Sequence, residues 1–556
     1  MVRFLTHRAK FLLQKRQTTI FSAAVVIMAT VAVSRVLGLI RDRMLIGRFT
    51  TEELGIYFAA FRIPNLIFEL LVMGALSTAF IPVISALLAK EKTKEAFKVA
   101  SSVINIGILI FAIVAVLMFI FTQRVVSFIA PGFSPEQQDI LIPFIRIMLL
   151  GQVGPLLIGN FLTGILQSFR LFIVPAIAPV IYNVGIIAAI IFLTPTLGLY
   201  APVWGVVIGA VLFFIIQVPL VYSVGYRHKL TFDWKNKEVK TVGKLMLPRT
   251  FGVAVSQIDA TVDLILATLL GAPSVTYFNL AQHLQLVPVG LFGIPIATAA
   301  LPSLSISTVN NNKNEFKTLF ISGIHQILFF VLPASVILVV LRIPLVRLVF
   351  GAHHFDWPAT VLTGKTLAAF SISLFAQSVV QLMSRAFFAL QDSKTPVAVG
   401  IIAIISNIIF SIFFITNLGL PVWGLGLSAS IASIINAFLL LVLIYNKIGG
   451  FDLRVMFVPI IKMSIATAFT GVFLYVPMKL LDQLIFDTTR TINLIMLTII
   501  VTLIGLGVYT GISFLLRLEE VALFKVFANK VVKMKSLLLD PPTEVVDNVD
   551  TQHMQN

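Results

Sequence analysis

Residues 31–42 read VAVSRVLGLIRD: Arg35 sits inside an apolar run, and Arg41 and Asp42 close it. An arginine at hydrocarbon depth costs roughly 2.5–3.5 kcal/mol on insertion scales. Residues so placed usually face a partner or a water-filled cavity, and they mark a substrate or ion path. The stretch predicts a membrane helix that lines a charged cavity rather than a passive anchor.

The whole chain agrees with that reading. Of its 556 residues 58% are hydrophobic and only 12% are charged, where a soluble globule carries about 25%. The mean hydropathy is +1.01. The first apolar run follows a long basic segment (Arg3, Arg8, Lys10, Lys15, Arg16) and continues as a full span, so it reads as a retained helix and not a short cleavable leader. Cysteine is absent, which excludes disulfides, thiolate metal sites and a cysteine nucleophile. The net charge of +17 reads as basic cytoplasmic loops rather than a nucleic-acid surface.

Apolar runs of roughly 20 residues or more predict an all-α polytopic membrane protein of about fourteen transmembrane helices. The expected spans are 20–40, 55–88, 97–122, 138–167, 172–194, 201–225, 243–270, 274–304, 316–349, 358–390, 395–416, 421–446, 455–479 and 492–516. Lysines follow the even-numbered spans: Lys90 to Lys98, Lys229 to Lys244, Lys313 and Lys317, Lys394, and Lys525 to Lys535. Those loops and both termini are therefore expected in the cytoplasm. Arg41, Arg43 and Arg48 break the pattern in the first outer loop, an exception that cavity-lining arginines would explain.

The chain also repeats itself. VSRVLGLIRD (33–42) corresponds to VSQIDATVDL (255–264), Tyr57-Phe58 to Tyr277-Phe278, TAFIP (78–82) to TAALP (298–302), and LGLYAPVWG (197–205) to LGLPVWG (418–424). Gln167 and Asn183 keep the separation of Gln391 and Asn407. All pairs lie roughly 220 residues apart and in one order. An even number of spans per repeat preserves orientation, so two parallel six-helix repeats are expected, plus two C-terminal helices. The expected segments are a basic N-terminus (1–19), an N-lobe (20–225), a cytoplasmic loop (226–242), a C-lobe (243–446), the extra helix pair (447–517), and an amphipathic helix with a disordered tail (518–556).

Several polar residues stand inside these spans. Arg35 and Asp42 share a helix face, about 10 Å apart along the axis, whereas Arg41 points elsewhere unless the helix bends at Gly38. They read as a cationic floor for an anionic headgroup, since arginine grips phosphate through a two-pronged fork; a structural Arg–Asp pair with interfacial arginines is the blander alternative. Arg62 and Glu69, also seven apart, read as a pair, with Arg62 a cavity candidate. Asp259 and Asp263 share a face beside Gln257 and imply protonation, a cation or a basic partner. A Na+ or H+ coupling site and salt bridges to the other lobe's arginines remain equal readings. His283, between Gln282 and Gln285, is either a cavity group or a hydrogen-bonded structural histidine. Gln377, Gln381 and Arg385 form a polar stripe, Asp392 and Lys394 cap its end, and Arg249 falls near the inner mouth.

No GxxxxGK[ST] loop, HExxH, GxSxG or other His/acid cluster at metal spacing occurs, so nucleotide hydrolysis and covalent catalysis are not expected, nor is any cofactor beyond a coupling ion.

SRVLGLIRD (34–42), FRIPNLIFELLVMGALSTAFIP (61–82), LAQHLQLVPVGLFG (280–293), ALPSLS (300–305) and RAFFALQDSKTPV (385–397) together resemble the MurJ (MviN) family of lipid II flippases, within the superfamily that holds the MATE exporters. The resemblance runs through nearly the whole chain. It implies a flippase of the bacterial cytoplasmic (inner) membrane that moves the undecaprenyl-pyrophosphate-linked peptidoglycan precursor outward through a cationic cavity, with a lipid-tail groove at the last two helices. It further implies that Arg35, Arg41 and Asp42 are the first helix's essential charges, and that Asp263 lies near an acidic position linked to cation coupling. Two places depart from the pattern: His283 stands where the family has an arginine, and Phe68 and Met73 replace an Arg and a Glu. The expected partners are lipid II or a related polyprenyl-pyrophosphate glycan and membrane lipids, with Arg35, Arg41, Asp42, Arg62, His283, Arg385, Gln381 and Arg249 as substrate-binding candidates and Asp259 and Asp263 as ion-coupling candidates. The alternatives are a MATE-like cation-coupled exporter and a flippase for another polyprenyl-linked oligosaccharide; short outer loops argue against a glycan polymerase.

Overall fold

A computed structural model of the chain describes residues 20–73, 79–488 and 490–522, without the side chains of 20–29, 73, 248 and 249. The expected basic segment 1–19, most of the small-residue stretch 74–80, and the expected tail beyond 522 lie outside the described residues. Every regular element among the described residues is helical.

Twelve of the described helices are long and apolar enough to cross a membrane, and a bent pair, Trp357–Ser371 with Leu374–Ala389 at 43°, makes thirteen. Ile20–Ile46, at 27 residues, supplies the remaining expected segment. The second span is less regular than its apolar run suggests. It divides into Thr51–Ala60 and Arg62–Phe68 and then widens to a π-helix over Glu69–Met73. The helix entering the second lobe starts at Lys237, earlier than the run implies, because the Asn236 side chain accepts the amides of Glu238 and Val239 and caps it.

The repeat is written in the backbone as well as the side chains. The π-helix Glu69–Met73 has its counterpart in Val289–Gly293, at the same place in the second repeat. Left-handed residues recur in the same register: Glu91 with Asn311, Arg170 with Gln391, and Gly198 with Gly419. The first two pairs close helix ends in turns between spans, where a left-handed residue lets the chain satisfy the last carbonyls. Two halves that bend and turn at matching positions are one supersecondary plan used twice.

The lobes meet tightly at the end opposite the lysine-rich loops. A Cβ on Gly55 would overlap the Ala272 carbonyl, and one on Gly132 would overlap that of Thr268. Glycine is required there because the two backbones touch. Thr276 donates from Oγ1 to the Thr51 carbonyl at 2.6 Å, and Arg43 donates to the Leu348 and Val349 carbonyls at the end of Arg342–Phe350. A cation against the last carbonyls of a helix also complements its dipole. Toward the lysine-rich end the first helix and Ile294–Val309 leave apolar side chains exposed (Val36 and Ile40; Ile294, Ile306 and Val309), while Lys237–Leu269 still packs on Glu69–Met73 and Ile81–Ala89 of the first lobe. The molecule is thus sealed at one end and, on the side of the first helix and Ile294–Val309, open at the other.

Leu453–Leu484 and Thr491–Leu515 pack on each other and on Lys313–Val340. The Tyr509 hydroxyl donates to the Phe329 carbonyl at 2.9 Å, and the buried His325 ring bonds the Met456 carbonyl at 2.9 Å. The extra pair is therefore a fixed attachment of the second lobe.

The sealed end yields a direct test. An ideal Cβ on Gly47 lies 3.9 Å from the Ala352 Cβ, within the spacing a disulfide needs. In this cysteine-free chain, Gly47→Cys with Ala352→Cys will cross-link, read as a reductant-sensitive shift of the full-length protein after protease nicking between the lobes. Adding Gly55→Val will lower the yield, because the Val side chain forces the backbones apart; an unchanged yield contradicts the seal. At the other end, the Asp392 carboxylate accepts from Lys447 Nζ at 2.6 Å and from the Thr395 hydroxyl at 2.6 Å, and these bonds hold it below the usual carboxylate range. A depressed folded value stabilises above the unfolded carboxyl's pKa of about 4 and is lost as pH falls through the folded value. Amide exchange in the 390–396 turn will therefore stay slow down to about pH 4 and will rise at neutral pH in Asp392→Asn.

Candidate translocation site

The cavity between the lobes is organised by one carboxylate. Asp42 is 1% exposed and lies near the end of Ile20–Ile46. Its Oδ1 accepts from Arg41 Nε at 3.0 Å and Nη2 at 2.8 Å, a two-pronged ion pair. Its Oδ2 lies 2.7 Å from His283 Nδ1, on Ala272–Pro288 of the other lobe. A buried carboxylate is tolerable only when paired, so this one ties the lobes together while meeting its own need. Arg41 also donates from Nη1 to Asn183 Oδ1 at 3.4 Å, and Asn183 donates to Ser34 Oγ at 3.2 Å and to the Pro179 carbonyl at 3.0 Å.

Here the structure corrects the sequence. Consecutive residues on a helix point about 100° apart, which seemed to send Arg41 away from the cavity. The arginine stem is long enough to curl its guanidinium back onto the neighbouring carboxylate, with no bend at Gly38 needed. Arg35 is not the partner of Asp42. It is exposed to a cavity of ≈ 330 Å³ that Asp42, Asn183 and His283 also line, and it makes no hydrogen bond or ion pair among the described residues. One arginine is committed to structure and the other is free to bind.

Arg62 behaves differently again. It does not pair with Glu69, although the backbone between them is α-helical, because its guanidinium finds acceptors on the other lobe. Its Nη2 donates to the Gln257 backbone carbonyl and side-chain Oε1, both at 2.6 Å, and its Nε to Thr261 Oγ1 at 2.9 Å. It is a second cross-lobe tie, anchored on Lys237–Leu269.

On that helix Asp259 and the buried Asp263 face Asn407. The Asn407 amide donates to Asp259 Oδ1 at 2.8 Å and to Asp263 Oδ1 at 3.3 Å, and Ser411 donates to Asp263 Oδ1 at 3.4 Å. No basic side chain forms a salt bridge to either acid among the described residues. Asp263 is the repeat partner of Arg41, and Asn407 lies about one turn past the equivalent of Asn183 in the register that Arg170 and Gln391 set. One asparagine per lobe thus holds a buried charge, positive in the first lobe and negative in the second. The groups that meet these two carboxylates are thus an amide N–H and a hydroxyl.

The polar stripe is only partly drawn in. Gln377 Oε1 accepts from Gln285 at 2.6 Å, while Arg385 donates to the Gln381 carbonyl at 2.9 Å and to Thr298 Oγ1 at 3.0 Å. Gln381 and Arg385 do not line the cavity beside Arg35. The Arg249 side chain lies outside the described residues. Asn183, Asn407 and Ser34 were legible only as repeat markers; their signal as site residues was polarity inside apolar spans at matching repeat positions.

Asp42→Ala will lower the unfolding free energy by about 2–3 kcal/mol, since it leaves Arg41 and His283 without their acceptor. The measure is chemical unfolding in detergent. Arg41→Ala in the same chain will recover part of the loss, and the double-mutant cycle will report the coupling. Strict additivity contradicts the pairing.

The family described as "Lipid II flippase MurJ" matches residues 49–495. The lipid II flippase MurJ of Burkholderia cenocepacia is 29% identical over 433 residues, spanning 76% of this chain and 83% of that protein. The probable lipid II flippase MurJ of Haemophilus influenzae is 30% identical over 479 residues, 80% and 90% of the two chains. A solved structure described as "Lipid II flippase MurJ, inward closed conformation" superposes with a TM-score of 0.73 at 26% identity, over 87% of this chain and 98% of that one. An inward-facing MATE family multidrug transporter of the MOP superfamily shares the fold, with a TM-score of 0.62 at 16% identity over 75% and 94% of the chains. Matched along four-fifths of its length and in its helical architecture, the chain belongs to the lipid II flippase MurJ family of membrane transporters.

Proposed function

We propose that this protein carries lipid II, or a closely related polyprenyl-pyrophosphate glycan, from the inner to the outer leaflet of the bacterial inner membrane by alternating access. The observation that carries the reading is Arg35: an unpaired guanidinium in a cavity whose other arginine is already neutralised by Asp42. A diphosphate is the kind of anion that such a fork recognises. The lysine-rich end faces the cytoplasm by the positive-inside rule, which also puts both termini there. The splayed end then opens to the inner leaflet, where the precursor would enter, and the glycine-lined seal closes the outer side. His283 reports on loading: a diphosphate that draws Arg41 or His283 away from Asp42 loosens the link between the lobes and favours their rocking. Asp259 and Asp263 take a Na+ or H+ whose binding biases the return step.

The test is flipping of a fluorescent lipid II analogue in proteoliposomes. Arg35→Ala will reduce the rate at least tenfold, and Arg35→Lys, which keeps charge without the fork, will lie between. Asp263→Asn will abolish the dependence on the ion gradient while leaving analogue binding intact. Unimpaired flipping by Arg35→Ala contradicts the reading. Wild-type flipping of another polyprenyl-diphosphate glycan, without that of lipid II, reassigns the headgroup.

A further inference from the structure

A second cavity lies far from the inter-lobe site, at the lysine-rich end. It has a volume of ≈ 880 Å³, against ≈ 330 Å³ beside Arg35, and sits where Lys313–Val340, the start of Leu453–Leu484 and the turn after Thr491–Leu515 converge. Three separate elements bring cations to it: Lys317, then Arg454 and Lys462, then Arg517. Arg454 and Arg517 form no ion pair among the described residues. Lys462 Nζ donates one hydrogen to the Leu516 carbonyl at 2.9 Å and keeps two. Lys317 Nζ reaches the Gly449 carbonyl at 3.4 Å.

The acids present are largely occupied. Asp452 accepts the amides of Arg454 and Val455 and caps its helix. Glu520 lies 3.4 Å from His325, whose other ring nitrogen bonds the Met456 carbonyl. Glu519 is the remaining carboxylate at the rim. Lys462 stands about 14 Å along its helix from Leu453 by the α-helical rise, so the cations span the depth of a headgroup layer. The cavity wall continues as Val455 and Val458, and the same helix presents Leu453, Phe457 and Ile461 as exposed apolar residues. A soluble anion has no use for that wall.

We propose that this cavity is a binding site for an anionic phospholipid of the leaflet at the lysine-rich end, with Lys462, Arg454 and Arg517 on its phosphate diester and the first acyl carbons against Val455 and Val458. Basic pockets between membrane helices at the cytoplasmic side take anionic headgroups for this reason. Lys317 and Ile321 of the second lobe line the same cavity, so a lipid seated there bridges that lobe and the extra pair. The inference stands apart from the identity of the transported cargo.

Arg517 makes the test decisive. Its backbone is left-handed, with φ 53°, a conformation that glycine adopts at no steric cost. Arg517→Gly therefore relieves the fold while it removes a ligand. The thermal midpoint of the full-length protein in micelles will rise saturably with dioleoyl-phosphatidylglycerol and not with dioleoyl-phosphatidylcholine of the same chains. In Arg517→Gly the midpoint in phosphatidylcholine will hold or increase, and apparent phosphatidylglycerol affinity will fall about fivefold, as loss of one headgroup cation predicts. Lys462→Gln will reduce it similarly, and Arg35→Ala will leave it unchanged. Equal responses to the two lipids overturn the proposal, as does an undiminished response in Arg517→Gly. A shift of the same size with soluble glycerol phosphate overturns the lipid assignment, and so does a shift seen only with a lipid II analogue.

Discussion

A carboxylate placed where water cannot reach it must find cations or not exist as a charge. Asp42 meets that requirement with Arg41 on its own helix, and its second oxygen lies in hydrogen-bond distance of His283 on the opposite lobe. The rest of the inter-lobe arrangement follows. The first bond fixes Arg41 and so frees the cavity of one competing guanidinium. The second holds the first helix and Ala272–Pro288 together beneath the glycine seal. Arg35, two turns further toward the open end on the same face, is left as the group with binding capacity to spare. A single buried acid thus decides which arginine is structural and which is available.

The same logic runs with opposite sign in the second lobe. Asn407 takes the role of Asn183, and Asp263 stands where the first repeat has Arg41, but no basic side chain forms a salt bridge to the acids among the described residues. A duplicated scaffold has therefore been charged asymmetrically: Arg35 and Arg41 lie in the first lobe, and Asp259 and Asp263 in the second. Arg62, pinned by Gln257 and Thr261 close to the acids, adds a tie that any such movement must break or carry along.

The sealed end and the open end are held by different physics. Gly55 on Ala272 and Gly132 on Thr268 depend on the absence of side chains, since any Cβ would meet a carbonyl. Such contacts are close and short-ranged, so they are lost together when the lobes rock. The open end presents apolar surface whose natural solvent is lipid, which costs little in a bilayer. The paired π-helices at Glu69–Met73 and Val289–Gly293 interrupt the second and eighth spans at the same place in each lobe.

Much of this was determined by the sequence alone. Hydropathy located the spans, since a helix that must satisfy its backbone in hydrocarbon needs a long apolar run. The ordered correspondences from VSRVLGLIRD to LGLPVWG located the duplication, and the charges in apolar runs located the site. Only the tertiary structure decided the partners. Helical periodicity predicts which residues share a face, but not how far an arginine stem curls back, so Arg41 was assigned away from Asp42. Nor can spacing along one helix foresee an acceptor on another: Arg62 chose Gln257 and Thr261, roughly 200 residues away in sequence, over Glu69 seven residues along. Burial and pairing are properties of surfaces brought together by folding, and a one-dimensional pattern records only which residues are candidates for them.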